Sequence, residues 1–588
     1  MKLKLLFLCA ALVITATVSH AQLTLLSNFA ANQSGGFSAG EIAAFDKGTD
    51  RLFVTSSGSS VFRVNIFDMA IPSAVTSLGT IDFSTAFGLA ADMRGLSSVA
   101  VDPLGRFGVA ALLPKTNTTT LGKVGFFNLS TGAAIGTADV GYHPDSLTFS
   151  ADGSKLIVVN EGEFNNNLQI DPGDGNAGTN PSLINAPGSI SVFDVSGINS
   201  GNLATLPGLT ATTRDFTAGN LASGVSLSGV RNSNVTAVGF SGTFINTVPD
   251  FTNAANIDPN AIEPEYASVI GDKVYVSLQD NNAIAEYDLT TNQWTDITNL
   301  GTIENTIDAT DQNNAGQTDN LIAINKAVKG MPMPDTVATY EVGGKTYVVS
   351  ANEGDARVDS RDASRFGDTG GNDDMDPLLD DNYPTNATGV RATGELGRLT
   401  VSRIDGDTDA DGKIDEIRAF GTRSFSIWEM TASGLVLAYD SDNFFETYIS
   451  LNDAAGWVDS RSDDKGPEPE GLTLGEIDGR TYAFIGMERN HGIFMVDITD
   501  PTNAVFVDYD RISTGNIPLR PESLSFVSAA DSPNGQNLLI VGFEGDGSGA
   551  SNERIAIYSV VPEPSTALLL GVAGVALALR RRARRVAA

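Results

Sequence analysis

Residues 405–416 read Asp405-Gly406-Asp407-Thr408-Asp409-Ala410-Asp411-Gly412-Lys413-Ile414-Asp415-Glu416. With Asp407 as position 1, carboxylates fall at positions 1, 3, 5 and 9. Gly412 stands at position 6, where a calcium loop must turn sharply, and Ile414 at position 8 can pin the loop to a core. Ca²⁺ is a hard cation that gathers six to eight oxygens, and alternating Asp residues supply them from one tight turn. Position 12 is Arg418 instead of the bidentate Glu, so Glu416 or a carboxylate from elsewhere must complete the shell. The two helices of an EF-hand are missing from the flanking pattern. The expectation is a calcium site of modest affinity drawn from Asp405, Asp407, Asp409, Asp411, Asp415 and Glu416.

A second set of carboxylates recurs along the chain. Asp145, Glu265, Asp335, Glu470 and Glu522 each follow a proline and lead into an alternating apolar stretch. Glu161, Gln279-Asp280, Glu353, Glu488 and Glu544 each follow the next apolar run. If these segments are equivalent modules of a ring, both sets converge on one axis. Like charges that close repel unless cations or bases intervene. Arg357, Lys465 and Arg489 lie beside the corners as partners. Two functions fit: turn-capping carboxylates that accept backbone N–H bonds, or a metal-bearing pocket for an anion such as a phosphate ester. In the second, Glu161, Glu353, Glu470 and Glu488 would be metal ligands or base, and Arg357, Arg489 and Lys465 would clamp phosphate. Asp355 to Asp381, dense in Asp with Arg357, Arg361 and Arg365, is either a cation-ordered loop over the channel mouth or a disordered acidic loop.

Other chemistry is set aside. Gly36-Phe37-Ser38-Ala39-Gly40 fits the G-x-S-x-G nucleophile pattern, but no helix follows and histidine is nearly absent. His143 and His491 read as turn residues and leave too few imidazoles for a histidine-rich zinc site. No phosphate-binding P-loop or dinucleotide fingerprint is present.

The elements that must position these residues are strands. Helical periodicity is scarce, turn formers are plentiful, and apolar runs are short and rich in Val, Ile, Phe and Tyr. The convincing repeats are HPDSLTFSADGSKLIVVNEGE (143–163), EPEYASVIGDKVYVSLQDNNAIAEYDL (263–289), PDTVATYEVGGKTYVVSANEGDAR (334–357), EPEGLTLGEIDGRTYAFIGMERNHGIFMVDI (468–498) and PESLSF onward (521–558). Weaker copies lie at 40–68, 95–129 and 424–449, which makes eight units in all. Units of three or four strands about 50 residues apart predict an all-β propeller of seven or eight blades. Two β-sandwiches would explain the strands but not the recurring Pro-acid start. Residues 196–262, 290–332 and 355–423 are longer than a blade loop requires and are expected to be insertions.

Composition narrows the classes further. Seventy-one acidic residues against 37 basic ones give a formal net charge of −34. Such a surface repels nucleic acid and anionic lipid and attracts divalent cations. Cys9 is the one cysteine and sits in an N-terminal leader, so thiol chemistry is excluded from the mature chain.

Both ends carry addresses. Lys2 and Lys4, the apolar stretch Leu5 to Val18, and Ser19-His20-Ala21 form an export signal with its cut expected after Ala21. At the other end, Val561-Pro562-Glu563-Pro564-Ser565 precedes an apolar run, Thr566 to Leu579, and then Arg580, Arg581, Arg582, Arg584 and Arg585. The run would make about 21 Å of helix, short for a membrane core of about 30 Å, which suits a transient transmembrane anchor. This tail resembles the PEP-CTERM signal that exosortase-type enzymes recognise in Gram-negative, exopolysaccharide-producing bacteria. The expected organisation is 1–21 signal peptide, 22–560 propeller and 561–588 sorting tail.

The repeats resemble the choice-of-anchor I domain family. Pro144 to Glu161, Glu263 to Leu289, Thr339 to Arg357, Gly397 to Ser426, Asp464 to Asp497 and Pro521 to Val541 carry the likeness, with DDKGPEPEGLTLGEIDGRTYAFIGMERN (463–490) the most specific run. The resemblance implies a β-propeller at the cell surface. Some relatives are described as alkaline-phosphatase-like, and others resemble mesenchyme-specific surface glycoproteins of biomineralising animals. It brings no catalytic residue with it. The expectation is therefore an exported calcium-binding propeller acting as an extracellular binding or matrix protein. Its expected partners are divalent cations, exopolysaccharide and the sorting enzyme. The alternative is a metal-dependent phosphoesterase.

Overall fold

The computed structural model describes residues 22–31, 38–58, 61–115, 120–162, 186–199, 201–205, 208–231, 259–313, 321–356, 363–370, 374–512, 519–545 and 553–561. The export signal, the sorting tail beyond Val561 and Arg357 lie outside them. No helix among the described residues is long and apolar enough to cross a membrane.

Seven four-stranded antiparallel sheets form blades. Blade 1 holds Ser38–Asp46, Arg51–Gly58, Val61–Asp68 and Thr76–Asp82, and blade 2 holds Met93–Val101, Gly108–Pro114, Lys123–Phe127 and Ala134–Asp139. Blade 3 holds Pro144–Phe149, Lys155–Asn160, Ser189–Asp194 and Thr212–Asp215, and blade 4 holds Ala267–Ile270, Lys273–Leu278, Ala283–Asp288 and Gln293–Asn299. Blade 5 holds Val337–Val342, Lys345–Ala351, Phe425–Thr431 and Gly434–Asp440. Blade 6 holds Pro469–Ile477, Arg480–Met487, Gly492–Asp497 and Val505–Arg511. Blade 7 takes Arg520–Val527, Asn537–Glu544 and Arg554–Val561 from the end of the chain, and its outer strand, Gln22–Ala30, from the beginning. The first strand of each blade touches the first strand of the next, through all seven and back to blade 1, so the ring closes.

Each blade buries both faces against its neighbours. Seven apolar clusters result, one per interface: Phe53, Val64 and Leu112 between blades 1 and 2, for example, and Ile157, Val276 and Trp294 between blades 3 and 4. That double burial explains why second strands such as Lys155–Asn160 and Arg480–Met487 are continuous apolar runs instead of alternating ones. Tight hairpins join first to second strands. Asp478-Gly479, at φ of 52° and 77°, is the Asp-Gly turn whose twist matches the strands it connects.

The blade number is seven, the lower of the two expected. The units at 334–357 and 424–449 are the two halves of blade 5, separated by an insertion. The expected insertions also contain blade strands, because Thr212–Asp215 and Gln293–Asn299 complete blades 3 and 4. What remains of 290–332 and 355–423 combines into an eighth sheet outside the ring. Its order is Ile303–Ile307, Lys326–Met331, Arg418–Phe420, Thr400–Ser402 and Ala363–Arg365, with one parallel pairing at its centre. It has its own core around Phe366, Leu399, Val401 and Ile414. Ser38 enters the first strand of blade 1, not a strand-to-helix elbow.

Candidate functional site

The first set of recurring acids and most of the second meet at one end of the ring axis. A cavity of about 870 Å³ is lined by Asp145, Glu265, Asp335, Glu470 and Glu522 from first strands, and by Glu161, Gln279, Glu353 and Glu488 from the ends of second strands. Asp280 and Glu544 do not line it. Asp355, Ala363, Thr400 and Phe420 bring the inserted sheet to its rim, and Arg461, Asp464, Lys465 and Arg489 complete the wall.

A local device repeats at three corners. His143, Met333 and Glu468, each immediately before the proline, adopt the left-handed conformation at φ of 47°, 44° and 53°. Their carbonyls accept hydrogen bonds from Glu161 N (2.9 Å), Gly354 N (3.2 Å) and Glu488 N (2.9 Å). The kink turns the following Pro-acid pair inward while the bond holds the second-strand acid beside it. Non-glycine residues adopt this conformation at a cost. At Gly354, with φ of 93°, an added Cβ would lie 2.1 Å from Gly421 N, so only glycine fits beside Glu353.

The cavity is electrostatically lopsided. On the blade 5 and 6 side, Lys465 Nζ donates to Glu353 Oε1 at 2.6 Å and Asp355 Oδ1 at 2.9 Å. Arg489 contacts Glu488 Oε1 at 2.6 Å and donates to Glu468 Oε2 at 3.0 Å. Arg461 Nε donates to Glu468 Oε1 at 2.7 Å. Burial works to raise the Glu468 carboxyl, but Lys465, Arg461 and Arg489 win and hold it below its ordinary range. Burial also opposes the Lys465 charge, yet Glu353, Asp355 and Glu468 hold it well above its ordinary value. Two of the first-strand acids are shifted the other way. Burial, then neighbouring carboxylates, push Glu470 and Glu265 well above the carboxylate range. Glu488 is pushed up to about 8 by burial, Glu353 and Glu468. Tyr266 beside Glu265 is likewise raised, by burial and then Asp335.

Among the expected catalytic candidates, Glu353, Glu470 and Glu488 come together, each offering one oxygen within 4.8 Å of the others. Glu161 lines the same cavity but is engaged by His143 Nδ1 at 2.6 Å. Arg489 and Lys465 also line the cavity, each already paired with acids. His143 and His491, read as turn residues, both have positive φ. Burial drops the His491 imidazole to about 4. Glu468, Arg461 and Tyr266 were missed. Glu468 was legible as a second Pro-acid pair, Pro467-Glu468, two residues before Pro469-Glu470. Arg461 depends on the short turn Asp459–Arg461, for which the repeat gives no signal.

The acidic loop at 405–416 lies on the inserted sheet, away from the axis. Asp407, Asp409 and Asp415 bring oxygens within 4.8 Å of one another. Asp407 accepts from Asp411 N (3.2 Å) and Gly412 N (2.9 Å), and Asp415 accepts from Thr408 N (2.8 Å). Gly412 has φ of 89°, and Ile414 is buried with its N–H donating to Leu378 O at 2.8 Å. Asp411 accepts from Lys413 N at 2.8 Å and lies outside this trio. Two residues of the expected set point elsewhere. Asp405 pairs with buried Arg231 at 2.8 Å, and Glu416 with Lys329 at 2.5 Å. Each makes an ion pair there, and neither belongs to the trio that converges.

Fold and cavity together define a seven-bladed β-propeller with an acidic axial pocket and one inserted sheet. Residues 41–501 match the choice-of-anchor I domain, and the chain belongs to that family. Residues 560–582 match the PEP-CTERM protein-sorting motif, which marks an exported protein sorted to the bacterial surface through its C-terminal end. The chain is 27% identical over 227 residues to the mesenchyme-specific cell surface glycoprotein of Strongylocentrotus purpuratus, covering 32% of this chain and 28% of that protein. It is 27% identical over 176 residues to Gigasin-3a of Magallana gigas, covering 25% of this chain and 60% of that one. The match thus spans less than two thirds of either relative. Among solved structures it is similar to Kuenenia stuttgartiensis hydrazine synthase (TM-score 0.40, 11% identity, 89% of this chain and 96% of that one). It is also similar to the Swd1 β-propeller domain of Myceliophteria thermophila (TM-score 0.38, 10% identity, 92% and 100%).

Proposed function

We propose that this exported propeller binds calcium through Asp407, Asp409 and Asp415 and serves as an extracellular binding or matrix protein of a Gram-negative cell envelope, with an exosortase-type enzyme acting on its tail. The observation that carries the proposal is the convergence of those three carboxylates on a loop whose glycine turn and buried Ile414 hold it in shape. The Lys413 carbonyl, at position 7 of the loop, and water would supply further oxygens to the ion. A chain of net charge −34 does not attract acidic exopolysaccharide by itself. Calcium bridging supplies the attraction. The test is calcium titration of wild type and of the Asp407→Asn/Asp409→Asn double variant, with polymer co-sedimentation in calcium and in EDTA. Calcium should raise the unfolding temperature more in wild type than in the variant, and should promote polymer binding in wild type. Equal behaviour of the two proteins removes the proposal.

A second reading, a metal-dependent phosphoesterase, is favoured by one observation: the axial cavity sets Lys465 and Arg489 beside clustered carboxylates. It requires hydrolysis of a chromogenic phosphate ester with a divalent ion present. No turnover with any common divalent ion eliminates it.

A further inference from the structure

We infer that Glu353, Glu470 and Glu488 form a second, axial site for a hard divalent cation, with coordination positions left open to the cavity for an anionic oxygen ligand. This site is separate from the loop of the proposed function and does not depend on it. Two blades contribute to it, since Glu353 follows the second strand of blade 5 while Glu470 and Glu488 frame the corner of blade 6, and Glu522 of blade 7 lines the same cavity.

The charge pattern singles out Glu470. Glu353 has Lys465 on one oxygen and Gln279 Nε2 at 2.8 Å on the other, and Glu488 has Arg489. Glu470 makes no ion pair among the described residues, and its Oε2 is closed off from solvent without a hydrogen-bond partner. A buried polar oxygen left in that state costs free energy, and here it faces other carboxylates.

The spacing admits a cation. Oxygens bound to Ca²⁺ at about 2.3–2.6 Å can lie up to roughly 5 Å apart across the ion, and the three oxygens fall within 4.8 Å of one another. All-oxygen donors select Ca²⁺, Mn²⁺ or Mg²⁺ over softer metals. Three protein oxygens leave a Ca²⁺ shell half filled, and the remaining positions open on the cavity beside Lys465 and Arg489. An anionic oxygen entering there meets the metal and, close by, two cationic side chains.

The experiment uses the purified mature protein in three forms: wild type, Asp407→Asn/Asp409→Asn, and the same with Glu470→Gln added. Calcium is titrated by calorimetry, then inorganic phosphate. The loop variant should retain one Ca²⁺ per chain, and Glu470→Gln should weaken that retained ion by roughly 100-fold and abolish metal-dependent phosphate binding. Thermal unfolding in EDTA should be no lower with Glu470→Gln, because the amide carries no charge. Retention of no ion by the loop variant, or unchanged affinity after Glu470→Gln, overturns the axial site while leaving the loop to be judged by its own variant. If Glu470→Gln does not fold, Mn²⁺ soaked into wild-type crystals decides: an anomalous peak between the three carboxylates supports the site, and its absence refutes it.

Discussion

Arg423→Met should reveal how firmly the inserted sheet, the cavity rim and blade 5 are joined. Arg423 is 2% exposed and pairs at 2.6 Å with Glu446, which is 0% exposed and lies on the helix Phe444–Asn452. The guanidinium also donates to Asp308 O at 2.6 Å, Ser462 O at 2.8 Å and Asp464 O at 2.9 Å. Removing one partner of a buried pair strands the other charge and costs about 3–5 kcal/mol. Unfolding entropy for about 540 residues is near 1.1 kcal/mol per degree, so the Tm should fall by about 3–4 °C. Burial already raises the Glu446 carboxyl, with Arg423 opposing it. Without Arg423 it rises further, so the folded variant binds a proton that the unfolded chain releases above its ordinary carboxylate range. Stability is then lost as pH climbs, and the deficit should be greater at pH 8 than at pH 5. Adding Glu446→Leu should recover most of the loss. Calorimetry at the two pH values measures all three effects. A Tm deficit under about 1 °C at pH 8, or a double variant no more stable than the single one, would refute the reasoning.

Three further outcomes are expected. Asp440 is pushed up to about 6 by burial despite bonds from Ser426 and Ser424, so its stability contribution is present below its ordinary value and lost as pH rises through 6. Asp440→Asn should leave stability unchanged at pH 4 and raise it at pH 8, by at most about 3 kcal/mol, as denaturant titration can show. Gly354→Ala must move Gly421 or the Glu353 corner, and should lower the Tm and weaken axial ion binding together; a chain that keeps both would show that the close approach is soft. Deleting residues 22–30 uncovers the edge of blade 7, and light scattering should show self-association that wild type lacks.

The ring was legible because a blade repeats a chemical pattern as well as a hydrophobic one. Pro144-Asp145, Pro264-Glu265, Pro334-Asp335, Pro469-Glu470 and Pro521-Glu522 marked first strands, and equivalence under rotation then brought their acids together. Blade 5 was misread as two units because its second and third strands, Lys345–Ala351 and Phe425–Thr431, pair across an intervening sheet. Nothing local records that pairing. The same long-range geometry pairs Asp405 and Glu416 of the expected calcium shell with cations outside the loop. Their partners Arg231 and Lys329 are far away in sequence, so spacing within the loop could not reveal that both were occupied.

The seam of the ring has a mechanical consequence. Gln22 lies opposite Val561, so the residue after the expected cut and the residue at which the sorting tail begins share one ladder. Arg554–Val561 is hydrogen-bonded on both sides, by Gln22–Ala30 and by Asn537–Glu544. A pull transmitted from the membrane therefore enters an interior strand and is divided between two rows of bonds in shear, instead of peeling away an edge. The same seam delays completion: the opening strand of the chain has no partner until the closing one has crossed the membrane, so the finished ring belongs to the far side.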